Sequence, residues 1–378
     1  MAGLCTPVLF RELDLSHGSY KYSKSAEAAE RAQKLAELAP IIGRHLRHLT
    51  IQMQVPRGDY NALRYDISCG VILKKAPHLR SLKLLYAHVD ISTHSILHGS
   101  LARINELEAV EFLEGDDARP MTKVQREGPT PLNDILRVIL SSHSTSLRSL
   151  AIRGRIILNN DLYCSLRDAA RKLHTLEIRR ALPDNSLTKP VVWGCAPCLR
   201  HLKLYLCSPH AAHTVTALMR GCFGLELETV TLWMNGANSD ETDLRPPANP
   251  GWAGARLEKL DLDHFLPWEM ECFIPIPTRL LVATRMASAH FAKLIGDGGF
   301  PGLETLVVSD RWQSSVQHER DYRNLEETCK TRGVELRFTN LSNPRPDSST
   351  MREPTERVCK CWFLRDLSPD YHPKGKGF

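Results

Sequence analysis

No stretch of this sequence approaches the roughly 18 consecutive apolar residues that a membrane-spanning helix requires, so no transmembrane helix and no membrane partner is expected. The opening residues, Met1 to Phe10, are apolar but few. They have no cationic start and run directly into Arg11-Glu12, which does not fit a signal peptide. Concentrated charge is also missing. The 49 Lys plus Arg against 43 Asp plus Glu give a net charge of +6, spread along the chain. A dedicated nucleic-acid binder concentrates its cations in a patch or stripe, so nucleic acid is not expected as a partner. The 11 cysteines have no regular spacing. With no secretory signal beside them, they are expected to be reduced thiols in the cytosol or nucleus.

Catalytic and metal motifs are scarce. Gly296-Asp-Gly-Gly299 lacks the Lys-Ser/Thr of a phosphate loop and reads as a helix stop before Leu303. None of the 16 histidines falls in a zinc-protease motif, and no strained nucleophile turn is visible. Cys195-Ala-Pro-Cys198 has the spacing of a redox or zinc pair but aligns with Lys75-Ala-Pro-His78 of another segment, which explains both cysteines without a metal. Cys359-Lys-Cys361 with His372 lacks a clear fourth ligand. No metal, cofactor or catalytic residue is therefore expected.

What the sequence does contain is a repeat. Leu79-Arg-Ser-Leu82-Lys-Leu84 recurs as Leu147-Arg-Ser-Leu150-Ala-Ile152, Leu173-His-Thr-Leu176-Glu-Ile178 and Leu199-Arg-His-Leu202-Lys-Leu204. Further copies start at Leu46, Leu227, Leu257 and Leu303, weaker ones at Phe10 and Leu107, a degenerate one near Leu280 to Val282, and a last strand is expected over Val334 to Phe338. This makes about twelve irregular repeats over residues 1–341. The interval varies, from 26 residues (Leu147 to Leu173) to 40 (Leu107 to Leu147). Apolar residues two apart in a strand share one face, and one such strand cannot bury that face alone. Segments with helical spacing lie between the strands: Ser25–Ala39, Asp59–Lys74, Ser92–Ile104, Leu132–Ser141, Asn160–Lys172 and Ser208–Cys222. The expected fold is thus an α/β solenoid with parallel strands on a concave face and helices on a convex face. Residues 342–378 read as a linker and a poorly ordered tail.

The third, fifth and seventh residues of each repeat are expected to face solvent. Successive repeats give Ser149/Ala151/Arg153, Thr175/Glu177/Arg179, His201/Lys203/Tyr205, Thr229/Thr231/Trp233 and Lys259/Asp261/Asp263. Arg, Tyr and Trp dominate interface hot spots. The expected partner-binding residues are therefore Arg153, Arg179, Lys203, Tyr205 and Trp233, with Asp261 and Asp263 beside them. Two polar insertions rich in Pro or Gly, 114–131 and 235–251, leave from strand ends and are expected on one rim.

Ala76-Pro-His-Leu79, Ala196-Pro-Cys-Leu199 and Phe300-Pro-Gly-Leu303 strengthen three copies. The repeats resemble the ribonuclease-inhibitor-like class of leucine-rich repeats. The Ala-Pro-x-Leu-Arg-x-Leu-x-Leu form is similar to fungal F-box/leucine-rich-repeat proteins. The resemblance implies substrate recognition by the repeats, with an upstream F-box joining the chain to ubiquitin-ligase subunits. No F-box is found after Met1, and the Asn or Cys expected after the last anchor occurs only at Cys207 and Asn235. Two functions stay open: a non-catalytic substrate-recognition module related to F-box receptors, and a free-standing scaffold or inhibitor with no ubiquitin role. In both, a protein binds the concave face.

Overall fold

The computed structural model describes residues 10–16, 25–53, 60–86, 98–114, 131–153, 157–158, 160–183, 195–207, 222–223, 226–235, 256–263, 276–283, 288–309 and 316–339. Twelve strands form one open sheet in chain order, each parallel to its neighbours. They are β1 (Glu12–Asp14), β2 (His48–Met53), β3 (Ser81–Tyr86), β4 (Ala109–Glu114), β5 (Ser149–Arg153), β6 (Thr175–Pro183), β7 (His201–Cys207), β8 (Thr229–Asn235), β9 (Leu257–Asp263), β10 (Thr278–Val282), β11 (Thr305–Ser309) and β12 (Glu335–Thr339). The repeat therefore sets both the number of strands and their order.

Register follows the leucines. Leu49 pairs with Leu82, Leu82 with Val110, Leu150 with Leu176, Leu176 with Leu202, and Leu202 with Val230. All of these are buried and belong to one continuous core. A one-residue slip would turn every anchor to the opposite face, so the apolar pattern fixes the pairing. The degenerate repeat lies at Thr278–Val282, with Leu281 paired to Leu260 and Leu306. Thr278 takes the place of the first leucine and is buried because its hydroxyl donates to the Ile276 carbonyl at 3.0 Å.

The turn before each strand explains the recurring Ala-Pro. The Leu79, Leu199 and Leu303 N–H groups donate to the Ala76, Ala196 and Phe300 carbonyls, each at 3.2 Å. The proline between them presets the required φ. Gly43 holds the corresponding place before Leu46, where a Cβ would overlap the Lys75 carbonyl of the next repeat. Just past this turn, one carbonyl per repeat serves two donors. The Arg47 carbonyl accepts from Arg80 and Ser81 at 2.8 and 2.9 Å, and the Arg80 carbonyl accepts from Glu108 and Ala109 at 2.8 and 2.9 Å.

The described helices are α1 (Ser25–Ile42), α2 (Tyr60–Lys74), α3 (Pro131–Ser142), α4 (Asn160–Ala170), α5 (Ser288–Gly296) and α6 (Val316–Arg332). Each buries one stripe, such as Ile135, Leu136, Ile139 and Leu140 of α3, in the same core as the strand anchors. The expected convex side is therefore the helix-covered face, and the concave side is the face that carries no helix among the described residues. The first four helices lie where the apolar spacing placed them, to within three residues. α6 was not anticipated, and of α5 only the stop at Gly296-Asp-Gly-Gly299 was. α6 is strongly charged and, among its described side chains, contributes only Leu325 and Cys329 to the core, too few for a visible period. The expected stop after α5 is present, with Gly298 at φ 77. The expected helix 92–104 is described only from His98, and 208–221 lies outside the described residues, as do the interiors of both insertions and the tail.

Two buried polar contacts fix the helical layer, one of them to the sheet. The Tyr65 hydroxyl of α2 donates to the Leu15 carbonyl at 2.8 Å and accepts from the Gln52 N–H at 3.2 Å. It thus bridges β1 and β2 where their direct ladder ends. His143, after α3, is buried with Nε2 3.0 Å from the Leu101 carbonyl.

Candidate binding face

The helix-free face of the central strands carries the residues singled out from the sequence. Register places Arg153 opposite Arg179, Arg179 opposite Tyr205, Tyr205 opposite Trp233, and Trp233 opposite Asp263. With strands about 4.8 Å apart, the four residues from Arg153 to Trp233 span roughly 15 Å. A second row, one residue pair nearer the strand starts, runs Glu177, Lys203, Thr231, Asp261. The side chains of Trp233 and Asp263 lie outside what the structure describes.

The expectation that every residue of these rows faces solvent is corrected. Glu177, Thr231 and Asp261 are 4%, 7% and 1% exposed. The middle row is flanked by longer side chains that fold over it. Arg153 and Arg179 cover Glu177, and the Lys259 Nζ lies 3.4 Å from an Asp261 carboxylate oxygen. Asp261 is thus a buried group, not a surface contact.

The arginines are also engaged within the chain. Arg153 grips Glu177 through two bonds, Nε to Oε1 at 2.7 Å and one Nη to Oε2 at 3.0 Å. Its other Nη lies 2.7 Å from Oε1 of Glu111, which also approaches Lys83 at 3.4 Å. Arg179 forms an ion pair with Glu177 from the opposite side, and its guanidinium stacks over the Tyr205 ring at 4.4 Å from the centroid. Neighbouring strands bring these groups together because residues on the same face two apart along a strand are diagonal neighbours across it.

Burial alone would raise the Glu177 carboxyl. The Arg153 hydrogen bonds and the charges of Arg179, Arg153 and Lys203 outweigh it, so the group is held below the usual carboxylate range. Arg153 is shifted up, since its carboxylate partners outweigh its own burial. The result is a preorganised platform. Tyr205 rests on Arg179, Arg179 is held by Glu177, and Glu177 is locked by Arg153. The sequence pattern placed the arginines and the tyrosine in one row and gave Glu177 only as solvent-facing, while Lys83 and Glu111 were not named. Their shared place in one register row, Lys83, Glu111, Ala151, Glu177 and Lys203, was the available signal.

Other chemistry is sparse here. Among the described residues no three His, Cys, Asp or Glu side chains are grouped to hold a metal ion. Cys195 lies in a short strand paired with Cys222–Phe223, away from the main sheet, and Cys198 is half-buried in the turn before Leu199. Cys359, Cys361 and His372 lie outside the described residues. No helix of the described residues is long and apolar enough to cross a membrane. Comparison with known proteins finds no matching family model and no matching curated protein.

Proposed function

We propose that this chain is a non-catalytic protein-binding solenoid of the leucine-rich-repeat type, which takes a segment of a partner across the helix-free face between β5 and β9. The observation that carries this reading is the Arg153–Glu177–Arg179–Tyr205 assembly. It holds an aromatic ring and cations in fixed positions on a sheet face that no described helix covers. Rigid aromatic and guanidinium groups lose little entropy on binding, which makes them effective anchors. The internal pairing also selects the partner. Lys83, Arg153, Arg179 and Lys203 face two carboxylates, Glu111 and Glu177, so the platform is only mildly positive. A segment of mixed charge with an apolar or aromatic side chain for Tyr205 fits better than a purely acidic one.

A role in substrate recognition related to F-box receptors rests on the likeness of the Ala-Pro-x-Leu turns alone. A free-standing scaffold or inhibitor uses the same face without a ubiquitin-ligase subunit. Either role fits an intracellular protein, in cytosol or nucleus. The test is quantitative affinity capture with the recombinant chain and its Lys203→Glu/Tyr205→Ala variant, followed by direct titration of any protein the variant loses. Binding weakened by about 2 kcal/mol or more supports the face as a hot spot. Unchanged affinity, with loss only on deletion of 235–251, moves recognition to the rim.

A further inference from the structure

The described surface keeps its large apolar side chains in one place. Seven large hydrophobic residues are exposed, and six of them, Leu38, Ile41, Tyr60, Leu63, Ile67 and Val71, lie on α1 and α2. Tyr60, Leu63, Ile67 and Val71 recur every three or four residues, which is one stripe of α2 opposite the buried Tyr65, Cys69 and Ile72. The other helices turn polar residues outward at the equivalent stripe: Arg137 and Ser141 on α3, Asp168 on α4, Lys293 on α5.

The stripe is continuous across the two helices. Arg64 donates to Gln33 of α1 and lies over the Tyr60 ring at 5.6 Å. Gly43 abuts Lys75. These contacts set α1 and α2 side by side and parallel, with Leu38 and Ile41 level with the C-terminal half of α2. Exposed cations stand in two groups, and the first, Arg31 and Lys34, lies among the acids of α1, with Lys34 paired to Glu30. Arg44, Lys74 and Lys75 stand where the helices finish, and among the described residues neither lysine pairs with a carboxylate. The exposed acids Glu27, Glu30 and Glu37 lie along α1 before that end.

We propose that the outer face of α1 and α2 docks an amphipathic helix of a partner protein, antiparallel to both, with an acidic first turn against Arg44, Lys74 and Lys75. Two parallel helices form a groove that a third helix fills with residues spaced three and four apart. Antiparallel placement opposes the helix dipoles, and first turns rich in Asp or Glu then meet the cations. A second copy would bring an acidic first turn only through α1, at Glu27, since α2 has none, and sedimentation velocity separates that occupant from a partner helix. An anionic bilayer fits less well, because Glu27, Glu30 and Glu37 border the stripe. This surface is independent of the helix-free face.

The probe is a fluorescein-labelled, lactam-stapled helix of about 14 residues, with leucines on one face and three acids in its first turn. A control peptide carries lysines there instead. Fluorescence anisotropy is measured against the full chain, Ile67→Gln/Val71→Gln and Lys74→Glu/Lys75→Glu, each shown by circular dichroism and melting to be folded. The expected result is saturable binding of the acidic probe, weaker by at least about tenfold in Ile67→Gln/Val71→Gln, with the preference between probes reversed in Lys74→Glu/Lys75→Glu. Absent binding, or equal binding by wild type and Ile67→Gln/Val71→Gln, overturns the proposal. It is also overturned if the apolar variant instead abolishes a dimer in sedimentation velocity, or abolishes binding to phosphatidylserine vesicles.

Discussion

The two exposed surfaces of this solenoid are built on opposite plans. The central helix-free face is crowded with charge, yet its charges are paired and its middle row is buried. The outer face of α1 and α2 sets its charges around an apolar stripe that no described residue covers. A charged side chain on a sheet is reached by neighbours on both adjacent strands, so it finds partners within the fold. An outward residue of a convex helix has no neighbour beyond its own layer. Charge on the sheet face is therefore partly structural, while apolar surface on the helix face has no structural use.

Substitutions should separate core, platform and stripe. The largest effect is expected at Leu202, a middle anchor with no exposure. Leu202→Ala should cost about 2–5 kcal/mol in urea unfolding, and a wild-type midpoint would contradict its place in the core. Glu177→Ala comes next. It leaves two guanidiniums without their shared carboxylate and should cost roughly 2–3 kcal/mol, although the residue stands on the nominally solvent-facing side. A loss below about 0.5 kcal/mol would show the platform to be an ordinary surface ion pair. By the same logic, removal of Arg179 also costs the fold stability, because it takes one of the two guanidiniums from Glu177.

Tyr65→Phe should cost about 1–2 kcal/mol, since it strips the buried Gln52 N–H and Leu15 carbonyl of their shared hydroxyl. Hydrogen exchange should then quicken at Gln52 and its neighbours before other strands. His143 has a smaller, pH-dependent effect. Burial holds its pKa below the usual value, and the Leu101 carbonyl offsets this only in part. The unfolded chain therefore takes up a proton at a pH where the folded chain does not. Its stabilisation is complete above the unfolded pKa of about 6.5 and declines as pH falls towards the folded value. His143→Gln should remove that part of the acid slope while shifting stability at neutral pH for other reasons. The smallest effect belongs to the stripe. Ile67→Gln/Val71→Gln should change stability by no more than about 0.5 kcal/mol. A large loss there would place those side chains in the core and erase the contrast with Glu177.

Much of this was legible beforehand, and the reasons are local. Leu-x-x-Leu-x-Leu reports which face each strand buries, so strand number, order and register followed from spacing alone. The tenth repeat was found despite losing its first leucine, because Leu281 kept the middle place. α6 was missed because two buried residues among the described side chains of 320–332 leave no period to read. Arg153, Arg179 and Tyr205 were found because position seven can be counted along each repeat. The engagement of both arginines with Glu177 was not read, since it depends on which rotamers bring groups from adjacent strands into contact.

The sequence by itself determined the repeat, the parallel order and the rows in which Arg153, Arg179, Tyr205 and Trp233 stand, because a two-residue alternation is a property of the chain. Only the tertiary structure decided that Glu177 and Asp261 are buried, that the arginines are already paired, and that Leu63, Ile67 and Val71 face outward. Those outcomes depend on which side chains of neighbouring repeats reach one another, and no spacing along a single chain encodes that distance.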